Sequence, residues 1–288
     1  MPRWLIRISR HLGALAATVI LGGILTAALV RGSPGFDADE RIMDPRLDAQ
    51  SRALIQAEHA SDHDVLRFYL RYVGAMLRGD WGVSHALNAP IRALVRSRLP
   101  VTTEIMAIGL AGGWILAFGF ALAAVHSRFW SRVGGTLGVV LLSLPSAALA
   151  VLIFTSHGPI RAVIALILFP KLFDYLRNLL AGAYARPHIV TARAKGLGSA
   201  RILVRHVLPV CAPQLLALAG ISASMAFGAA IPVETLCDLP GIGQLAWKAA
   251  LARDLPVLVS LTMLITLATQ ACNAIADWAT AGLKEARS

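Results

Sequence analysis

The chain has 288 residues, of which 57% are hydrophobic and 15% charged, and 27 Lys and Arg against 16 Asp and Glu give a formal net charge of +11. A soluble domain needs roughly a quarter of its residues charged to cover its surface; with mean hydropathy at +0.66, lipid must solvate much of this chain, and its bases read as membrane topology and a partner surface, not a nucleic-acid footprint. The dispersed Cys211, Cys237 and Cys272 fit neither a disulfide framework nor a zinc knot.

Hydropathy predicts six membrane-crossing stretches, at 12–30, 104–125, 133–155, 159–178, 209–232 and 256–279. The first follows Arg3, Arg7 and Arg10 and runs into Arg31-Gly-Ser-Pro without an Ala-x-Ala cleavage site, so it reads as an uncleaved span and not as a signal peptide. The polar segment 31–103 follows. Within it, Asp64 to Leu77 spaces its apolar residues as an amphipathic helix. A second short helix, about 89–98, is expected to lead through Leu99-Pro100 into the next span, with Thr102, Thr103 and Glu104 as capping candidates. In 133–155, Gly134-x-x-x-Gly138 permits close helix approach and Ser143-Leu-Pro-Ser146 predicts a bend. The stretch 159–178 is the weakest, because Lys171, Asp174 and Arg177 enter its second half; Asp174 is spaced to neutralise either neighbour.

Orientation follows from Lys/Arg bias. Arg128 and Arg132 lie in one short link, and 183–208 holds Arg186, Arg193, Lys195, Arg201 and Arg205 with no acidic residue. The positive-inside rule puts both in the cytoplasm, with the N-terminal arginines and the tail Lys284 and Arg287. Six spans then leave both termini cytoplasmic and 31–103 outside. The expected divisions are 1–30, the N-terminus and first span; 31–103, the periplasmic segment; and 104–288, a five-helix core including a cytoplasmic loop at 185–208.

Four segments carry information beyond topology. In His188 to Pro209, a helix through Lys195 is expected to end at Gly196 and Gly198, and Ser199 to cap a second helix running to His206. Such a compact pair of helices, tied to spans at both ends, can enter a groove in a soluble partner and transmit its movement. After the fifth span, Pro240-Gly241 and Gly243 predict a turn before a short helix containing Trp247, while Glu234 ends a long apolar run, where a carboxylate is costly unless hydrated or paired. Arg253 and Asp254 form a polar pair before the last span. Finally, Arg78-Gly-Asp-Trp-Gly-Val-Ser84 and Arg98-Leu-Pro-Val-Thr precede the second span, with Arg78 and Asp80 placed for local ion pairing.

In this order the segments resemble the permease subunits of the dipeptide, oligopeptide and nickel branch of bacterial ABC importers. The resemblance covers nearly the whole chain: Thr191 to Leu197 with Leu208-Pro209 is similar to that family's coupling loop, and Glu234-Thr with Pro240-Gly-Ile-Gly243 and Arg253-Asp-Leu-Pro256 to its late signature. His188 stands where the family has tyrosine, Leu236 where it has phenylalanine, Gly32-Ser-Pro-Gly replaces a common Pro-Gly-Asp-Pro, and the link at Ser156 to Pro159 is short. The resemblance implies an all-α polytopic inner-membrane protein of the ABC importer type I permease fold, with six transmembrane helices. It further implies ATPase coupling through Thr191, Ala192, Arg193, Ala194, Lys195, Gly196, Leu197, Arg201, Leu208 and Pro209. An outer gate or binding-protein contact would be built from Arg78, Asp80, Glu234, Thr235, Pro240, Gly241, Gly243, Arg253 and Asp254. The implied partners are a second homologous permease, two ATP-binding subunits and a periplasmic solute-binding protein. The implied cargo is dipeptides or oligopeptides, with nickel or another small solute as the alternative.

No Gly-x-x-x-x-Gly-Lys-Ser/Thr cradle is present, so ATP-Mg is expected on the partner subunits and no cofactor or metal on this chain, which is not expected to be an enzyme. His59 and His63 are spaced to share one helical face, but a solvated charged face is the ordinary outcome. An ion-coupled secondary transporter would call for membrane-centred acids and inverted repeats, and neither is evident.

Overall fold

The computed structural model describes residues 74–76 and 78–285, with scattered helical positions between Gly13 and Leu25. The expected first span, the amphipathic stretch up to Leu77 and the pair His59 and His63 lie largely or wholly outside the described residues. A two-residue hairpin, β1 (Val83–Ser84) against β2 (Ala89–Pro90), is followed by helices throughout. These are α1 (Ile91–His126), α2 (Arg128–Ser143), α3 (Ser146–Thr155), α4 (Val163–Tyr184), α5 (Pro187–Ala194), α6 (Ser199–Ile202), a π-helical turn at Leu203–Val207, α7 (Leu208–Leu236), α8 (Ile242–Leu251) and α9 (Leu255–Glu285).

The expectation of six spans is corrected. Among the described residues, three helical stretches are long and apolar enough to cross a membrane: Ile91–His126, Ser199–Leu236 and Leu255–Gly282. A fourth is reached if α2 and α3, bent by 98°, form one broken span. The break has a local cause. Pro145 disfavours helical backbone in the residue before it, and Leu144 is accordingly extended, at φ −88° and ψ 126°. Proline also has no N–H to carry the helical ladder across the break. The expected span at 159–178 is α4, whose Lys171, Asp174 and Arg177 make it too polar for a lipid-facing crossing. Its Leu168, Leu172, Phe173, Leu176 and Leu180 are fully buried, so it serves as a central packing helix.

The expected short helix before Pro100 and the span after it are one 36-residue helix, α1, running through that proline. Thr102, Thr103 and Glu104 therefore do not cap the start of a span. The Thr102 hydroxyl accepts from the Ile242 amide at 2.8 Å, Thr103 donates back to Leu99 O at 3.0 Å, and Glu104 pairs with Arg161 at 3.1 Å.

The described chain forms two compact units, Met1–Arg98 with Leu245–Ala268, and Leu99–Gln244 with Thr269–Ser288. The second unit is built around α4. Lipid tails are as apolar as leucine, so helices associate by close contact and not by escape from water. The small residues follow that rule. A Cβ on Gly109 would fall 2.5 Å from Ile164 Cβ, and one on Gly134 would fall 2.5 Å from the Phe173 ring. The first half of the Gly134-x-x-x-Gly138 pair thus seats α2 against α4. Phe120, Phe169 and Phe173 continue this packing edge-to-face and stacked. Trp114 donates its indole N–H to Ser222 Oγ at 3.1 Å, a polar tie between two spanning helices. The first unit buries Ile91 and Val95 of α1, Leu245 and Ala249 of α8, and Leu255, Val259 and Leu261 of α9.

Candidate functional site

The basic segment after α4 folds as a short helix and a tight turn. Pro187 occupies the first position of α5, where its missing N–H costs nothing. At the other end Gly196 takes φ +74°, its amide reaches Arg193 O at 2.9 Å, and the Leu197 amide reaches Ala192 O at 3.3 Å. These two bonds form a Schellman motif, which favours glycine at the left-handed position. The expected stop at Gly196 is therefore present. The expected cap at Ser199 is not: Gly198 is the N-cap, and Ser199 is the first residue of α6. Nor does the second helix end at His206. It passes through the π-helical turn into α7, making one 38-residue helical stretch, Ser199–Leu236. The turn directly precedes Pro209, whose missing N–H and bulky ring disturb regular α-helical bonding there.

One face of this element is anchored and the other is open. Ile189, Ala192, Ile202 and Val207 are buried, whereas Thr191, Arg193, Ala194, Lys195, Gly196 and Arg201 are exposed. Leu197, Leu208 and Pro209 are half-buried. Ala192 thus faces inward, apart from the exposed set with which the sequence grouped it. Arg193 lies over the Tyr184 ring at 5.3 Å, and His126 meets that ring edge-on. Burial pushes the Tyr184 phenol up from its ordinary value, an effect the Arg193 charge opposes. Beside this contact a cleft of about 490 Å³ is lined by Ser131, Arg177, Asn178, Tyr184 and Arg193. Arg177 also pairs with Asp174 at 3.4 Å and stacks on Phe173.

The residues grouped as an outer gate fall into two separate constructions. In the first, Glu234 is completely buried at the end of α7. Its Oε2 accepts from the Gly243 amide at 2.6 Å and the Gln244 amide at 3.2 Å, so it caps the N-terminus of α8 from nine residues upstream. Its carbonyl accepts from Leu239 at 2.8 Å, and Gln244 Nε2 donates to Asp238 at 2.8 Å. A Cβ on Gly241 would overlap the Glu234 carboxylate, and one on Gly243 would stand 2.7 Å from Ile231 Cα. Gly241 is therefore the space in which the carboxylate sits, and Gly243 lets the α7 backbone approach. Pro240 is exposed, and Thr235, half-buried, donates to Ile231 O at 2.7 Å.

In the second construction, Asp254 is buried at the start of α9. It accepts from Ser84 Oγ at 2.6 Å and the Ala86 amide at 3.0 Å, and its other oxygen faces the Val257 amide at 3.4 Å. It thereby caps α9 and holds the hairpin loop to it. Arg253, exposed at φ +54°, is the bend that presents it. Asp80, expected to pair with Arg78, instead accepts from the Gly82 amide at 2.9 Å; Arg78 lies exposed in the same turn. The caps made by Glu234 and Asp254 were missed by sequence reasoning. Asp254 stood directly before a Leu-Pro helix start, a cap signal that was available; the partner of Glu234 was not visible in spacing.

Among the described residues, no group of three or more His, Cys, Asp or Glu is placed to hold a metal ion. Compared with known proteins, residues 112–286 match the family described as binding-protein-dependent transport system inner membrane component. The glutathione transport system permease protein GsiC of Salmonella paratyphi A is 26% identical, covering 93% of this chain and 94% of its own length. The dipeptide transport system permease protein DppB of Lactococcus lactis subsp. cremoris is also 26% identical, covering 94% and 97%.

Proposed function

The chain belongs to the family of binding-protein-dependent transport system inner membrane components, and from that premise we propose that it forms half of the translocation pore of an ATP-driven importer of small peptides. The observation that carries this reading is the α5 element. Its Ile189 and Ala192 are locked into the core, while Thr191, Arg193, Ala194 and Lys195 face outward on a helix whose end is fixed by the Gly196 turn. A rigid projection joined by that turn to a 38-residue helix passes a push from an ATPase groove into the membrane. Nucleotide-driven closure of two ATPase subunits moves α5 and α6, and the π-helical turn before Pro209 is where the helix yields. Hydrolysis returns the element, giving alternating access driven by partners.

The coupling face comprises Thr191, Arg193, Ala194, Lys195, Gly196 and Arg201, backed by Leu197, Leu208 and Pro209. The face lies in the cytoplasm on this reading, because segment 183–208 has five cations and no acid, which the positive-inside rule assigns to that side; the basic residues near both termini assign those ends to the same side of the inner membrane. Glu234, Gly241, Gly243 and Asp254 act as scaffold. The exposed Arg78, Asp80, Pro240 and Arg253 meet the periplasmic binding protein. The peptide assignment draws on the similarity to the glutathione and dipeptide permeases.

The test is purification in mild detergent with native partners retained, followed by mass determination of every subunit. A second permease and two ATPase copies are expected; recovery of this chain alone, under conditions that preserve a known importer, would overturn the reading.

A further inference from the structure

The cleft beside α5 shares Arg193 with the proposed coupling face, but its other walls lie outside that face, and its chemistry is distinctive. Its walls bring together the last turn of α1 (Ala124, Val125), Ser131 of α2, Arg177, Asn178 and Tyr184 of α4, and Arg193 of α5. Two guanidinium groups, an amide and two hydroxyls supply donors, and no carboxylate lines it. Arg193, Asn178 and Ala185 are exposed, so the cleft opens at the surface. Directly alongside, Phe129 and Trp130 are 65% and 43% exposed, between Arg128 and Arg132. Exposed aromatics flanked by arginines are the ordinary furniture of a membrane–water boundary.

We propose that this cleft binds a phosphate-bearing anion, and that the anion is the headgroup of an anionic phospholipid in the leaflet facing the ATPases. Arginine forks match phosphate oxygens, and basic pockets between membrane helices on this side hold such headgroups. The neighbouring aromatic pair favours lipid over free phosphate, because it places the cleft at headgroup depth. Asp174 competes for Arg177 at 3.4 Å but engages a single edge of the fork. A phosphate held by both Arg177 and Arg193 would tie α5 to α4 and make coupling depend on lipid charge. The cytoplasmic placement rests on the proposed function.

The experiment uses the complete importer complex, washed in detergent and reconstituted in phosphatidylcholine nanodiscs with or without phosphatidylglycerol, with retained lipid counted by native mass spectrometry. Wild type is expected to retain phosphatidylglycerol. Arg177→Gln should weaken retention about tenfold, the worth of one charge-assisted contact. Asp174→Asn, which frees the fork, should strengthen it, a change that mere structural damage would not produce. Arg161→Gln, removing a cation elsewhere, should leave it unchanged. Inorganic phosphate is titrated as a separate arm: displacement of the lipid by millimolar phosphate supports the site with a free anion as its source. Equal retention in all four proteins, or equal loss in Arg161→Gln, overturns the proposal. Subunit assembly is read from the same spectra. An assembled complex without selective retention sinks this inference alone, whereas failure to assemble sinks the functional reading.

Discussion

Replacing Glu234 tests whether the signature around Pro240 is scaffold or binding-protein contact. The carboxylate is buried completely and accepts from two amides of the α8 N-terminus, at 2.6 and 3.2 Å. Hydrogen bonds to a charged group contribute about 1.5–3 kcal/mol each. Glu234→Ala therefore forfeits about 3–6 kcal/mol, and the lower figure is the better guide because water can enter the space the side chain leaves. At about 2–4 °C per kcal/mol for a large domain, the apparent unfolding midpoint of the detergent-solubilised complex should fall by about 6–12 °C. Glu234→Gln keeps an acceptor but loses the charge, and should cost about half as much. Gly241→Ala should also destabilise, because its new Cβ would overlap the carboxylate.

The decisive comparison is the double variant. Cap and clash occupy one place, so Gly241→Ala should cost much less when Glu234 is already alanine, a coupling well above 0.5 kcal/mol. Additive losses, or a Glu234→Ala midpoint within 2 °C of wild type, would refute the capping argument. A raised transport KM with unchanged stability would return Glu234 to the outer gate or binding-protein contact.

Three further outcomes follow from the same geometry. Gly196→Ala places a Cβ at φ +74° and should cost about 1–2 kcal/mol, read as faster amide exchange across 187–197 and weaker stimulation of ATP hydrolysis by loaded binding protein; Gly196→Asn should recover part of both. Asp254→Ala unseats Ser84 and Ala86 together and should expose the 84–88 loop to limited proteolysis, with Ser84→Ala giving a smaller effect of about 1 kcal/mol. Gly134→Ala drives a methyl group into the Phe173 ring, costing about 1–3 kcal/mol by thermal shift, and the same substitution should cost much less in a chain that already carries Phe173→Ala.

Local chemistry was legible in the sequence where its cause is local. The Gly196 stop and the turn at Pro240-Gly241 depend on residues within a few positions, and both stand as read. The Pro145 break was also visible, but not its 98° extent, because proline reports that a helix is interrupted and neighbouring packing decides where the chain goes next. The span count failed for a related reason. Hydropathy averages a window and does not say what covers it. α4 is apolar enough to resemble a span, yet its Leu168, Leu172, Phe173 and Leu176 are buried by other helices, and its charged Lys171, Asp174 and Arg177 sit mid-helix.

The functional signature shows the deeper limit. Glu234, Gly241 and Gly243 were legible as a group, since a carboxylate after an apolar run followed by two glycines is chemically odd. What could not be read was that the three solve one problem. The carboxylate needs donors, the α8 N-terminus has two amides to give, Gly241 leaves the carboxylate its space, and Gly243 lets α8 come close enough to the α7 backbone to be reached. The cost of burying the charge is offset inside the protein, so its position is no evidence of a charged solute. The exposed α5 face carries the opposite lesson. Arg193 is taken up by the Tyr184 ring, but Ile189 and Ala192 fix the helix without the exposed Lys195 and Arg201, and that remainder is the part of the face proposed to meet a partner.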